Sequence, residues 1–282
     1  MVNFFQNLRK LFLPLILISL ITLFFYLFKK NGIPNENQYQ KKSCPKSPLA
    51  IAYFGQSNSA NSVNKISKLN IPDNLYQYNW KDNKCYIYKE PLIGATDIKG
   101  NSITPFAISL ANNIENNLLI IPYGIGNTNI ESWSKGDNSL FHKNLLENLK
   151  SKKIKVELFL FHQGESDSFV VRNLSKIIEK SNYSKKYLFN LLKIIDQTRV
   201  YFPESYFGLS IVSKCYGPKP NNYIIDSQKE ATKLRHNVFI SADSDSVYGR
   251  KYRYDGCHFN LKGVEEISKM YSDSFMDNIF KY

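Results

Sequence analysis

Apolar residues occur along the chain in two alternating patterns, short continuous runs and longer runs with helical spacing. The short runs have the length of buried strands, and the longer ones place leucines, isoleucines and aromatic residues three and four positions apart. The predicted strands are residues 49–54, 117–124, 155–161, 206–212 and 237–242. The predicted helices are residues 104–116, 139–152, 183–201, 222–235 and 260–280.

Continuous apolar strands that alternate with helices indicate a parallel sheet covered by helices on both faces. The sequence therefore predicts an α/β fold, a single three-layer α/β/α domain with a central parallel sheet over residues 46–282. Residues 61–103 do not fit the alternation. They are predicted to be a long, partly irregular insertion with short strands around residues 84–90.

An uncharged apolar stretch precedes this domain. Residues 11–28 contain neither a charge nor an amide side chain, and as a helix they would be about 27 Å long, close to the roughly 30 Å of a bilayer core. A cleaved signal peptide has a shorter core and a small-residue cleavage site, and a buried helix is rarely apolar on every face. We therefore predict a transmembrane signal anchor at residues 11–28, after a short head at residues 1–10.

Residues 29–45, which follow the predicted anchor, are polar and contain prolines, so they are predicted to be a tether. Basic residues flank the apolar stretch on both sides, which weakens a prediction of orientation from charge. The short head favours translocation of the larger part of the chain. We expect a single-pass membrane protein whose catalytic domain is extracytoplasmic or lumenal.

The chain has a net charge of +13 at pH 7. Its lysines are scattered rather than clustered among aromatic residues, so nucleic acid is not a predicted partner. Attraction to an anionic surface, such as lipid headgroups or acidic glycans, explains the excess charge, and so does solubility alone.

Small and polar residues follow the predicted strands at four places along the chain. They are residues 55–58, 124–128, 162–167 and 255–258. Because the carboxyl ends of parallel strands lie at one edge of a sheet, and ligands of such folds bind there, these segments are the predicted site.

Three residues in these segments have the chemistry of a serine nucleophile, its base and the group that orients the base: Ser57, His258 and Asp255. Ser57 is predicted to begin a helix, whose dipole favours negative charge on the attacking oxygen. Asp255 and His258 are three residues apart, so one turn can place both on one side. The amides of Ser57 and Gly126 and the side chain of Gln163 are candidate donors to the oxyanion.

Each of these residues also has a purely structural interpretation. A serine in a turn is usually a cap, and Asp255 with His258 can form a capped helix start. Gln163 can be a buried amide with satisfied hydrogen bonds. Their joint position at strand ends favours the catalytic interpretation.

A metal site is a competing hypothesis. Two imidazoles and two carboxylates lie at short spacings, in His162, Glu165, Asp255 and His258, and zinc or manganese binds such groups. No H-E-x-x-H motif is present, however, and Ser57 would have no role in such a site. We therefore predict a serine site that uses no metal or other cofactor.

The four cysteines are Cys44, Cys85, Cys215 and Cys257, and none forms a C-x-x-C pair. An even number suits two disulfides outside the cytosol, with three possible pairings, and buried free thiols are the alternative. Cys257 is next to His258, and Cys215 follows a strand that should end at the same edge of the sheet. We expect a Cys215–Cys257 disulfide that stiffens the loop of His258.

Four segments resemble the SGNH hydrolases, in particular their sialate O-acetylesterase and plant-type carbohydrate esterase branch. They are "FGQSN", "GNTNIESW", "FHQGESD" and "DGCHFNLKG", in this order and with similar spacings. The resemblance covers roughly residues 50–263. It implies a flavodoxin-like α/β/α fold and metal-free ester hydrolysis, commonly the removal of acetyl groups from carbohydrates. By motif, Ser57 resembles the nucleophile, His258 the base and Asp255 its partner, and Gly126 and Gln163 resemble the oxyanion donors.

Two positions depart from the family's motifs. Ser59 replaces a methionine, and Asn127 replaces the second glycine of G-G-T, where asparagine tolerates a positive φ better than most residues. The expected substrate is an acetylated carbohydrate. The residues expected to bind it are Gln56, Asn58, Asn127 and Glu165. Two other functions remain open, a membrane-tethered carbohydrate O-acetyltransferase and a glycan-binding protein with a decayed site.

Overall fold

The computed structural model describes residues 32–280, which form one eight-stranded sheet and seven α-helices. The strands are β1 (Lys41–Lys42), β2 (Leu49–Gly55), β3 (Leu75–Asn79), β4 (Lys84–Ile87), β5 (Leu118–Pro122), β6 (Val156–His162), β7 (Tyr206–Ile211) and β8 (Val238–Asp243). The helices are α1 (Thr104–Asn113), α2 (Ile130–Lys135), α3 (Asp137–Ser151), α4 (Glu165–Asn173), α5 (Ile177–Tyr201), α6 (Asn222–Leu234) and α7 (Leu261–Asn278).

The strand order across the sheet is β1-β4-β3-β5-β2-β6-β7-β8. The five predicted strands β2, β5, β6, β7 and β8 are all present and parallel, in the order 2-1-3-4-5 of a flavodoxin-like fold. β3 adds a further parallel strand beside β5. The prediction of a parallel sheet is wrong at this edge, because β4 runs antiparallel to both β3 and β1.

The central strands are apolar at every position because helices cover both faces of the sheet. In β2, Ala50, Ala52 and Phe54 face a core formed with α2, α3, α5 and α6. Ile51 and Tyr53 face the opposite core, formed with α1 and α7. These two cores establish the predicted three layers.

The five predicted helices are also present, and α5 begins six residues earlier than predicted. Its first turn exposes Ile177 and Ile178, so this part of the helix has no amphipathic pattern to detect. Two further helices, α2 and α4, were not predicted. They have only six and nine residues, too few for a clear helical period.

The first described residues are folded onto the domain, although residues 29–45 were predicted to be a tether. Tyr39 is buried and donates a hydrogen bond to the carbonyl of Pro91 at 2.5 Å. β1 pairs with β4, and a disulfide joins Cys44 to Cys85. Residues 32–45 therefore belong to the α/β domain.

The predicted membrane anchor, residues 11–28, lies outside the described residues. Across residues 32–280, no helix combines the length and the apolar character that a bilayer crossing requires.

Candidate active site

Ser57 is positioned by the sharp end of β2. Gly55 has a φ of +127°, and a Cβ atom there would collide with the carbonyl oxygen of His162 on β6, so the position requires glycine. Ser57 then begins a three-residue 3₁₀ turn, Ser57–Ser59. The predicted helix at Ser57 is thus a single short turn, whose dipole is small.

Ser57, His258 and Asp255 form a continuous hydrogen-bonded chain. Ser57 Oγ lies 2.9 Å from His258 Nε2, and His258 Nδ1 lies 2.7 Å from Asp255 Oδ2. An ionised Asp255 can only accept, so Nδ1 carries the hydrogen and Nε2 is free to accept from the serine hydroxyl. Ser57 is 201 positions from His258 in the sequence, and the three residues meet at the carboxyl edge of the sheet.

The electrostatics of Asp255 favour its charged form. Burial alone would raise the pKa of this carboxyl group, but the His258 ring and the backbone amides of Cys257 and His258 donate hydrogen bonds to it. Their combined effect holds the pKa of Asp255 below its ordinary value. The carboxylate is therefore charged at neutral pH and can stabilise a protonated His258.

Of the predicted oxyanion donors, Gly126 lies next to Ser57, whereas the Gln163 side chain is bonded to other protein groups. Gly126 lies beside Ser57, since a Cβ atom on it would be 3.9 Å from Ser57 Cβ, and its amide donates to Thr96 Oγ1 at 2.9 Å. The Gln163 amide nitrogen instead donates to Asp167 Oδ2 at 2.5 Å, with further acceptors at Thr128 and Gln56. In this structure all of these acceptors are protein groups, so Gln163 as an oxyanion donor stays a prediction that would require its side chain to exchange one of them for the oxyanion.

Three of the four predicted substrate-binding residues are buried among protein partners. Gln56 Oε1 accepts from the amides of Gly164 and Ser166, at 3.3 and 3.2 Å. Asn58 and Glu165 bond to each other, with Asn58 Nδ2 at 2.7 Å from Glu165 Oε1. These three side chains are buried and bonded to protein groups, so the structure does not present them to a substrate as the prediction expected.

Asn127 is the exception. It is exposed beside Gly126, and its φ of +58° confirms the expectation that asparagine tolerates the left-handed region at this turn.

Asn58 joins the turn of Ser57 to the loop of His258. Its Nδ2 also donates to the carbonyl of Cys257 at 3.2 Å, and its Oδ1 accepts from the amide of Phe259 at 3.4 Å. The side chain next to the serine thus holds the backbone on both sides of the histidine.

A pocket of about 310 Å³ opens beside His258 and Asp255. Its other lining residues are Gly32, Ser62, Asp97, Ile98, Lys99 and Tyr254. Ser62 Oγ donates to Asp97 Oδ2 at 2.6 Å, and Lys99 Nζ donates to the Tyr254 hydroxyl at 3.2 Å. The pocket is therefore lined by an aromatic ring, a carboxylate and an ammonium group.

Sequence reasoning missed these pocket residues. Ser62, Asp97 and Lys99 belong to the insertion at residues 61–103, which has no periodicity that would show which side chains share a surface. Tyr254 had one usable signal, since it directly precedes Asp255 in the sequence.

The competing metal hypothesis needs His162, Glu165, Asp255 and His258 to come together. Within residues 32–280, no group of three or more His, Cys, Asp or Glu side chains is arranged to hold a metal ion. His162 is instead buried against Glu165, with Nε2 and Oε1 3.5 Å apart.

The expected disulfide between Cys215 and Cys257 is confirmed. It ties the residue directly before His258 to the loop that follows β7. Arg172 fastens that loop in turn, donating to the carbonyls of Cys215 and Ser213 at 3.1 and 2.9 Å.

Solved structures share this fold. A protein from Arabidopsis thaliana superposes with a TM-score of 0.65 at 16% identity, covering 83% of this chain and 99% of that chain. A carbohydrate acetylesterase from Xanthomonas citri superposes with a TM-score of 0.56 at 13% identity, covering 83% of this chain and 57% of that chain. At these identities the similarity establishes the fold.

The flavodoxin-like strand order, with serine, histidine and aspartate at its carboxyl edge, defines an esterase of the SGNH type. The sequence model of a carbohydrate esterase family, the sialic acid-specific acetylesterases, matches residues 51–277, and the chain belongs to this family. None of the curated protein sequences matches it.

Proposed function

We propose that this esterase removes O-acetyl groups from a carbohydrate through Ser57, His258 and Asp255. The observation that carries the proposal is the continuous chain of hydrogen bonds, 2.9 Å from Ser57 to His258 and 2.7 Å from His258 to Asp255. Membership of a carbohydrate esterase family supports the substrate class.

The first half of the reaction transfers the acetyl group to the enzyme. Ser57 Oγ attacks the acetyl carbonyl carbon while His258 Nε2 takes the hydroxyl proton, and Asp255 stabilises the resulting imidazolium. The tetrahedral intermediate then collapses. The carbon–oxygen bond to the sugar breaks, and the sugar oxygen leaves with the proton from His258.

The second half regenerates the enzyme. A water molecule gives one proton to His258 as its oxygen adds to the acetyl carbon. The bond from that carbon to Ser57 Oγ then breaks, His258 returns the proton to Oγ, and acetic acid leaves and ionises to acetate. The donors proposed for both oxyanions are the amides of Ser57 and Gly126. The first amide of a helical turn has no partner within that turn, and the Gly126 amide exchanges Thr96 Oγ1 for the oxyanion.

The pocket beside His258 suits a sugar ring. The Tyr254 side chain, which is 41% exposed, offers apolar surface beside the stacked His258 ring, and Asp97 and Lys99 offer an acceptor and a donor for the hydroxyls of the sugar. Its volume of about 310 Å³ is at the small end of the range for ligand sites.

Replacement of the three residues tests the proposal. Ser57→Ala and His258→Ala should each lower kcat for acetate release by about 10⁴-fold, and the double variant should be little worse because the two act as a unit. Asp255→Asn should also be severe, because the amide can hold the wrong tautomer of the imidazole.

A phosphonofluoridate probe should label Ser57 in the wild-type protein, and Ser246→Ala, an exposed serine far along the chain, serves as the matched control. Near-normal esterase activity in Ser57→Ala would refute the assignment of the nucleophile.

The proposal also places the protein in a membrane through residues 11–28, with the catalytic domain outside the cytosol or in a lumen. Two disulfides support an oxidising compartment, since such bonds are rare in the cytosol. Alkaline carbonate should leave the full-length chain in the membrane pellet and release a variant that lacks residues 1–31. Release of the full-length chain by carbonate would contradict the anchor.

A further inference from the structure

The first described residue of the chain lies at the pocket beside His258. Gly32, the first described residue, lines that pocket together with Asp255 and His258. A Cβ atom on Gly32 would be 3.2 Å from Cγ2 of Ile98, so the entering backbone packs against the pocket rim. The chain that precedes Gly32 therefore joins the domain close to Asp255 and His258.

The distance from this rim to the apolar segment is short. Only residues 29–31, two lysines and an asparagine, separate residues 11–28 from Gly32. Four Cα-to-Cα steps span at most about 14 Å even when fully extended. If residues 11–28 cross a bilayer, Gly32 lies at or just above the headgroups, whose layer is roughly 5–8 Å deep on each side.

The rim itself has the composition of a membrane contact. Ile98, which lines the pocket, exposes 55% of its surface, and Ile33 and Ile66, which follow Gly32 and Lys65 along the chain, each expose 47%. Lys65 and Lys99 are exposed beside them, and the two loops that carry these residues are joined by the backbone pair of Val63 and Gly100. Apolar side chains flanked by lysines are favoured where a protein surface lies on anionic lipids.

We propose that the mouth of the catalytic pocket faces an anionic bilayer and that the substrate is the acetylated sugar headgroup of a glycolipid in that leaflet. The apolar rim enters the headgroup layer, Lys65 contacts lipid phosphates, and the pocket opens onto sugars at the height of the membrane surface. The substrate part of this inference rests on the proposed esterase function, whereas the orientation part does not.

Orientation can be measured without catalysis. All four cysteines of the chain are in disulfides, so an added cysteine provides a single labelling site. Ile98→Cys places a fluorophore at the rim, and Glu204→Cys places one at the opposite edge of the sheet, just before β7. The full-length chain is reconstituted in vesicles of phosphatidylcholine and phosphatidylglycerol with and without a doxyl-labelled lipid.

The doxyl lipid should quench the label at residue 98 by about twofold or more and leave the label at residue 204 unchanged. Equal quenching at the two positions, or none at residue 98, would overturn the proposed orientation.

The substrate is tested in the same vesicles with an O-acetylated ganglioside, chosen because the family is sialic acid-specific. Acetate release from the vesicle-borne ganglioside should exceed release from its free oligosaccharide by about tenfold at equal bulk concentration, because both partners are confined to one surface. Equal or faster release from the free oligosaccharide would overturn the glycolipid assignment. So would hydrolysis of p-nitrophenyl acetate without release from the ganglioside. Failure of all three substrates would refute the esterase proposal instead, and the quenching result would stand.

Discussion

Asn58 shows how a buried side chain can matter to the chemistry without facing the substrate. It is bonded to Glu165 and to the backbone on both sides of His258, so it fixes the distance between the turn of Ser57 and the loop of His258. Burial would raise the pKa of Glu165, but donors from His162 and Asn58 lower it, so the carboxylate is charged and holds the Asn58 amide firmly.

Asn58→Ala should therefore lower kcat by about 10- to 100-fold and change KM little, because the misplaced base affects the transition state more than substrate binding. Steady-state kinetics with an acetylated substrate measure the two constants separately.

The matched control is Asn260→Ala, a loop asparagine that caps α7 through Gly263 and does not bond to residues 257–259. It should cost about 1 kcal/mol of stability and leave kcat close to the wild-type value. If Asn58→Ala keeps wild-type kcat, or if both variants lower kcat equally, Asn58 does not position the base.

The sequence reveals the kind of residue at this site better than the direction of its side chain. Ser57, His258 and Asp255 were identifiable because their chemistry and their places after strands agree. Gln56, Asn58 and Glu165 lie next to catalytic positions along the chain, yet their side chains point into the protein. The side-chain directions of Gln56 and Asn58 follow from the positive φ of Gly55 and from the 3₁₀ turn, and that of Glu165 follows from the turn at Gly164, whose φ is also positive. None of these features has a periodic signal in the sequence.

At the level of elements, the central strands and the long helices could be predicted because each buries a continuous or periodic apolar face. β1 could not, since it consists of two exposed lysines whose pairing depends on β4 and on the nearby disulfide. Edge strands that carry lysines are common because they discourage pairing with other chains. Within the predicted tether, residues 41–42 are thus an ordinary edge strand with no apolar residue.

The two disulfides make a matched pair for testing the role of the loop that carries His258. They close chain segments of 41 and 42 residues, so the chain-entropy model assigns each about 4 kcal/mol of stabilisation. Replacing both cysteines of either pair by serine should therefore lower the free energy of unfolding by similar amounts.

Only the loss of Cys215–Cys257 should also lower kcat, on the order of tenfold, because it releases the residue next to His258. Urea unfolding gives the stabilities and steady-state kinetics give kcat. Equal kcat values in the two double variants would show that the loop does not need this bond.

At the scale of the whole molecule, one core contains a titratable group that the chemistry does not use. His142 of α3 is fully buried, and its ring stacks on Phe54 and Tyr123 at centroid distances of 5.1 and 5.8 Å. Its nitrogens lie 3.3 Å from the Tyr123 hydroxyl and 3.0 Å from Thr198 Oγ1. Burial lowers the pKa of this imidazole from 6.5 to about 3.

This depressed pKa makes the stability of the fold depend on pH. Above pH 6.5 the imidazole is neutral in both the folded and the unfolded chain, so its full contribution to stability is present. As the pH falls below 6.5, the unfolded chain binds a proton that the folded chain cannot bind until about pH 3. His142 should therefore cost roughly 3 kcal/mol of stability between pH 6.5 and pH 4.

His142→Phe fills the same space with a ring that does not titrate, so the difference between wild type and variant isolates this one group. The comparison is necessary because burial raises the pKa values of Glu90 and Asp167, whose protonation stabilises the fold as the pH falls and opposes the effect of His142. The variant loses an acceptor for Tyr123 at every pH, which shifts its stability curve without changing the slope. Urea unfolding at pH 7, 6, 5 and 4 measures the difference in the free energy of unfolding between the two proteins. From pH 7 to pH 4 this difference should shift by roughly 3 kcal/mol in favour of His142→Phe. A gap that stays constant over this range would mean that His142 is protonated inside the fold.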